Sequence, residues 1–231
     1  WSFNLQIYYL NSRFTQIQEI QETEKSEDQT AKLKSFDHLI RFWSDTAHLI
    51  VPFLYFQGEK AKLENSEKNL NFAAQSYLTE LKSVSDLGIK TWMAGSAKEL
   101  FEKVLKINPA NDSASIGWGS TFIYGASGSA SPMEGIMKIR EVAQRDSTNM
   151  YAQFMLGYGG MMTGQYDKAI VRLLKVVAAE PKNMEAIFLL AEAYERSGNK
   201  IEALNWYEAG RKKVNNPELL KVLDEKMNSL K

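Results

Sequence analysis

The sequence predicts an all-α fold: an α-solenoid of helix-turn-helix repeats, with a helical extension before it and a capping helix after it. Three observations lead there. Apolar residues recur at intervals of three and four along almost the whole chain. The apolar–polar alternation of a half-buried strand is missing. Two adjacent segments of thirty-four residues carry one pattern.

The elements follow in chain order. Phe3, Ile7, Leu10, Phe14 and Ile17 share one helical face. The polar run QETEKSEDQT after them reads as a linker, which gives an N-terminal helix and linker over 1–30. A helix from about Ala31 to Ala47 buries Leu33, Phe36, Leu39, Ile40 and Trp43. VPFLYFQGEKAKLEN restarts a helix, with Pro52 in its first turn. Ser66 caps the next helix, which buries Leu70, Ala73, Ala74, Tyr77 and Leu81. SDLGIKTWMAGS is expected to be a loop, and SAKELFEKVLKINPAN a helix ended by Asn-Pro.

The repeat is clearest where MYAQFMLGYGGMMTGQYDKAIVRLLKVVAAEPKN aligns with MEAIFLLAEAYERSGNKIEALNWYEAGRKKVNNP. Leu156 matches Leu190, Gly157 matches Ala191 and Gly164 matches Gly198. Ala169 matches Ala203, Leu173 matches Tyr207, and Pro181 has its counterpart displaced to Pro217. A looser copy supplies Trp118, Gly119, Gly135 and Ile139 with a longer loop, and a partial one supplies Ala97, Phe101 and Pro109. The expected organisation is degenerate helix pairs over 31–111, repeats over 112–149, 150–183 and 184–216, and a capping helix over 217–231. In that cap Leu220, Leu223, Met227 and Leu230 face inward. One helix pair cannot bury its apolar stripe alone, so stacked neighbours make one core.

A helix pair of this length, with a large residue before Gly or Ala, a later Ala, an aromatic or Leu and then Pro, resembles the tetratricopeptide repeat. The chain as a whole is similar to bacterial tetratricopeptide-repeat proteins. The resemblance implies a protein-interaction scaffold that binds a partner segment in a concave groove lined by the first helix of each pair. Carried over position by position, that groove comprises Ile116, Ser120, Ile123 and Tyr124, then Tyr151, Phe154, Tyr158, Met161 and Met162. Glu185, Phe188, Glu192, Glu195 and Arg196 extend it. It differs from the Lys- and Asn-rich carboxylate clamp of chaperone-binding members. One repeat departs from the pattern, with Gln153 where a bulky residue is usual and Gly160 where an aromatic is usual.

Charge and motifs narrow the function. With 28 basic and 28 acidic residues the formal net charge is +0, and nothing global draws the chain to nucleic acid. There are no cysteines, so disulfides and thiolate chemistry are absent. His38 and His48 stand ten apart, which is no ligand spacing on one helix, and no metal or cofactor is expected. LGYGGMMTGQYDKA lacks the lysine-serine/threonine ending and the preceding strand of a phosphate loop. Its Gly157 is expected to pack helices and its Gly164 to make the turn. Gly159 and Gly160 need a close neighbour, for which the 125–131 loop or a partner chain is the expectation. No acid–base pair or nucleophile constellation assembles, so no catalytic residue is nominated.

Two other readings stand beside the scaffold. In one, the chain is an assembly or anchoring subunit that docks through Phe3–Ile20 to a membrane complex or a second copy. In the other, the 125–131 loop binds a small ligand or serves an enzyme. No run of about 18 apolar residues spans a membrane. The aromatic WSFNLQIYYL is expected to pack, with the interfacial end of an anchor upstream of Trp1 as the alternative, and a periplasmic or membrane-anchored setting is placed slightly ahead of a cytoplasmic one.

Overall fold

A computed structural model describes residues 28–125 and 132–230. Among these residues there are eleven α-helices. They are α1 (Gln29–Arg41), α2 (Ile50–Glu64), α3 (Glu67–Leu81), α4 (Leu87–Ile107), α5 (Asp112–Tyr124), α6 (Pro132–Arg145), α7 (Met150–Met162), α8 (Tyr166–Ala179), α9 (Met184–Arg196), α10 (Lys200–Arg211) and α11 (Pro217–Leu230). A π-helical stretch, Phe42–Thr46, ends α1. The fold is an all-α solenoid. The described residues fall into two compact units, one of 28–117 with 124–125 and the other of 118–123 with 132–230. Within each unit consecutive helices pack in sequence.

In the first unit Phe36 and Leu39 of α1 pack with Phe56 of α2. Gly58 lets α2 approach α3, since a Cβ there would stand 3.2 Å from the Tyr77 hydroxyl. Ser66 caps α3 by accepting from the Asn69 amide at 3.2 Å. Leu70, Ala73, Ala74, Tyr77 and Leu81 are buried as their spacing predicts. The carboxylate of Glu67 accepts from Asn108 at 2.8 Å and Asn111 at 2.7 Å, tying the start of α3 to the turn after α4.

The segment SDLGIKTWMAGS is a correction to the expected loop. It forms the first half of the 21-residue α4, capped by Asp86, which accepts from the Ile89 amide at 2.8 Å. Gly88 and Gly95 disfavour helix. The buried Met93 and Ala94 outweigh them, with Trp92 set edge-on to Tyr77 at 5.6 Å between ring centres.

The second unit builds its pairs around close backbone approaches. A Cβ on Gly119 of α5 would stand 2.6 Å from the Gly135 carbonyl oxygen of α6. A Cβ on Gly157 of α7 would stand 2.8 Å from Leu173 Cγ of α8. The described neighbours of the two odd glycines are Ile136 of α6, 3.0 Å from a Cβ on Gly159, and Ala169 of α8, 3.1 Å from one on Gly160. These are helices of the same unit; of the 125–131 loop expected at the two glycines, residues 126–131 lie outside the described residues. Gly164 and Gly198 have φ of +71° and +86°, the left-handed turn conformation that suits glycine.

Asparagines start the helices. Asn111, Asn149 and Asn183 each accept from an amide three residues on, at 2.8, 3.0 and 3.0 Å. Asn216 does the same for Leu219 at 3.1 Å. Leu223 and Leu230 of α11 close the last cluster with Tyr207, while Phe188, Trp206 and Met227 pack against it. Arg211 pairs with Asp224 at 2.5 Å, and Lys226 turns in to Glu195 at 2.7 Å.

Gln153 fills its unusual position as a structural link. It has no exposed surface, donates to the Ser147 carbonyl at 2.9 Å, and accepts from Arg172 of α8 at 2.7 Å. Both ends of its amide are thereby satisfied inside the unit, which burial requires.

Candidate functional site

The face made by the first helices α7 and α9 is where the repeat pattern places a partner. Asn149 fixes the start of α7, and the 3.6-residue period puts Tyr151, Tyr158 and Met162 on one side of it. Asn183 sets α9 likewise, and its Glu185 and Glu192 share one side. Met162 is 60% exposed and Tyr151 37%, while Tyr158, Met161 and Glu192 are half-buried.

Electrostatics join the two helices. Burial pushes the Tyr158 hydroxyl up from its ordinary pKa, and the negative Glu185 and Glu192 add to the shift. Burial also raises Tyr151, opposed by a hydrogen bond with Ser120 and reinforced by Glu185. Arg196 donates to Glu192 at 2.9 Å, and Glu192 first and then Tyr166, at the head of α8, raise its pKa. The result is an aromatic and methionine surface edged by carboxylates, with one arginine held at its end. It suits an apolar group flanked by a cation.

The other groove positions fall elsewhere. Ile116, Ile123, Tyr124 and Phe154 are buried, so they pack rather than line an open surface. Almost every residue of α5 is enclosed, and angular position on such a helix does not decide exposure. Phe188 lies against Gly210, where a Cβ would stand 2.5 Å from its ring, so it packs across to α10. Ser120 is buried against Tyr151. Glu195 accepts from the Tyr207 hydroxyl at 2.9 Å and from Lys226, which makes it a structural carboxylate. Tyr166 joins the surface through Arg196, and nothing in its spacing marks it. Of the 125–131 loop only Gly125 is described, and the N-terminal helix Phe3–Ile20 lies outside the described residues.

Among the described residues no three His, Asp or Glu side chains gather where they could hold a metal ion. No described helix is long and apolar enough to cross a membrane.

Helix pairs with small residues at their crossings and glycine turns define the class. The helix pairs have the tetratricopeptide-repeat fold, and residues 161–224 match the family model for that repeat. Solved structures of the same fold include TTC0263, a thermophilic tetratricopeptide-repeat protein of Thermus thermophilus. It has a TM-score of 0.61 and 16% identity, over 84% of this chain and 98% of that one. MamA from Desulfovibrio magneticus RS-1 superposes with a TM-score of 0.53 at 17% identity, over 78% and 93%. YrrB, a repeat protein described as having an unusual peptide-binding site, gives 0.50 at 15% identity over 90% and 97%. At these identities the likeness is one of fold. No curated protein sequence matches the chain.

Proposed function

We propose that the chain is a non-catalytic scaffold whose α7–α9 face holds a segment of a partner protein. The observation that carries this reading is the setting of Tyr158. It is half-buried, it feels Glu185 and Glu192, and it shares its side of α7 with the exposed Met162. The partner segment presents an apolar side chain to Tyr158 and Met162, and a lysine or arginine to the glutamates. Methionine adapts its shape to such a group. A surface held on packed helices gives up little entropy on binding.

An array of labelled twelve-residue peptides tests it. Peptides with Arg or Lys beside Leu or Phe are expected to bind. The Y158A/M162A variant should lose at least tenfold in affinity with its circular dichroism unchanged, and E192Q should weaken only the basic peptides. Equal binding by Y158A/M162A and the parent would place the partner elsewhere.

A further inference from the structure

We infer that the second unit carries a separate binding cleft for an acidic peptide segment, on the opposite side of α7 from Tyr158. The cleft has a volume of about 440 Å³ and runs between the second helices α6 and α8. Ile136 and Leu156 supply apolar floor, with the bare backbone of Gly160 beside them. Arg140 of α6 and Lys168, Arg172 and Lys175 of α8 surround it, against one carboxylate, Asp167. On α7 the floor positions Leu156 and Gly160 are spaced by four, which puts them about half a turn from Tyr151, Tyr158 and Met162.

The gathering of the four cations around one cleft points to a ligand. Several cations elsewhere are neutralised at short range, among them Lys62 by Glu59 at 2.9 Å, Arg196 by Glu192 at 2.9 Å, Arg211 by Asp224 at 2.5 Å and Lys226 by Glu195 at 2.7 Å. In the cleft, Arg140, Lys168, Arg172 and Lys175 make no ion pair among the described residues. Two of them are instead held by neutral amides. Lys168 donates to Gln165 at 2.8 Å, and Arg172 donates to Gln153 at 2.7 Å. A neutral acceptor fixes a cation's position and leaves its charge for something else. Gln153 suits that role because its other end is anchored on the Ser147 carbonyl. A guanidinium that spends one N–H on an amide keeps the rest of its donor fork for a carboxylate.

The shape favours a peptide over a small anion. Lys168, Arg172 and Lys175 lie at spacings of four and three on one face of α8, so the row is roughly 10 Å long at 1.5 Å per residue. That is the reach of about three residues of extended chain. A segment with Asp or Glu at both ends of such a stretch and an apolar residue between them meets the cations with its carboxylates. Its apolar side chain meets Ile136, Leu156 and Val171, the last of which is 57% exposed. Inorganic phosphate would leave that floor uncovered.

The test is fluorescence polarisation with the whole chain and a fluorescein-labelled peptide, Gly-Glu-Leu-Glu-Leu-Glu-Gly. Binding is expected that weakens at least tenfold in K168Q/K175Q, whose replaced side chains are both exposed, and that falls steeply with added salt. The same peptide with Gln for each Glu should not bind. The Q153L variant, which frees Arg172 and also costs the Ser147 carbonyl its partner, should weaken the Glu peptide severalfold when compared at a temperature where its circular dichroism is that of the parent. Y158A/M162A should bind it as the parent does, which separates this cleft from the α7–α9 face. Equal binding of the Gln peptide, or full affinity in K168Q/K175Q, would overturn the proposal. So would inorganic phosphate or a labelled oligodeoxythymidine displacing the peptide at equal or lower concentration, since the site would then be one for phosphates.

Discussion

Leu173 of α8 occupies the space that a side chain on Gly157 of α7 would need. A methyl carbon on that glycine would stand 2.8 Å from Leu173 Cγ. The two helices thus meet at a distance set by the absence of one carbon atom, and that makes the glycines of this chain separable by experiment.

Three alanine substitutions should rank in a fixed order. G95A meets nothing within 4 Å on a helix and should gain about 0.5–1 kcal/mol from helix propensity. G157A faces a side-chain branch point and should lose about 1–3 kcal/mol to overpacking. G119A faces the Gly135 carbonyl, which cannot rotate away, and should lose more than G157A. Urea denaturation reads the order, and a G119A as stable as G95A would refute the close crossing of α5 and α6.

The asparagine caps should act independently. N149A and N183A each remove a bond to an amide three residues on and should each cost about 1 kcal/mol. The double variant should lose roughly the sum, because the two caps share no partner. A double variant no less stable than the singles would show that the caps are coupled.

Core and surface positions on α7 should part cleanly. F154A should cost about 3–5 kcal/mol, as for a buried aromatic. M162A should stay within about 0.5 kcal/mol of the parent while taking part in the loss of peptide binding. Thermal melts and peptide titrations of the same samples compare the two.

Glu195 should give the last repeat an acid sensitivity. Burial pushes its carboxyl up, but hydrogen bonds from Lys226 and Tyr207 and the positive Lys226 and Arg196 carry it below the ordinary glutamate value of 4.5. A carboxyl lowered in the folded state contributes stability that is complete above the unfolded value. That contribution is lost as the pH falls through the folded one. E195Q should therefore be less stable than the parent at pH 7, by on the order of 1 kcal/mol. The gap should narrow below pH 4.5. A gap constant from pH 7 to pH 3 would count against this role.

Much of the fold is legible because helix crossings need small residues at fixed offsets. Gly157 with Ala169, and Ala191 with Ala203, give the two last pairs directly. The first half of α4 was not legible, since Asp86, Gly88, Gly95 and Ser96 are all turn-forming types. What holds them in a helix is the burial of Met93 and the Trp92–Tyr77 contact, which depend on a neighbouring helix. The repeat pattern gave the side of each first helix but not its exposure, hence the buried Ile116 and Phe154. The cationic cleft was hidden for a different reason. Arg140 and Lys168 come from different repeats, and only the fold brings them to one cleft.

The Asn149 and Asn183 caps bound a stretch of thirty-four residues that begins and ends on the same chemistry. Such a stretch is a unit of growth. A second copy of residues 150–183 inserted after Asn183 would find an asparagine cap at each junction and a neighbouring pair on each side. It would also bring its own Gln153 and Arg172, already bonded to each other within the copied stretch. An array lengthened this way would gain one amide-held guanidinium per added unit.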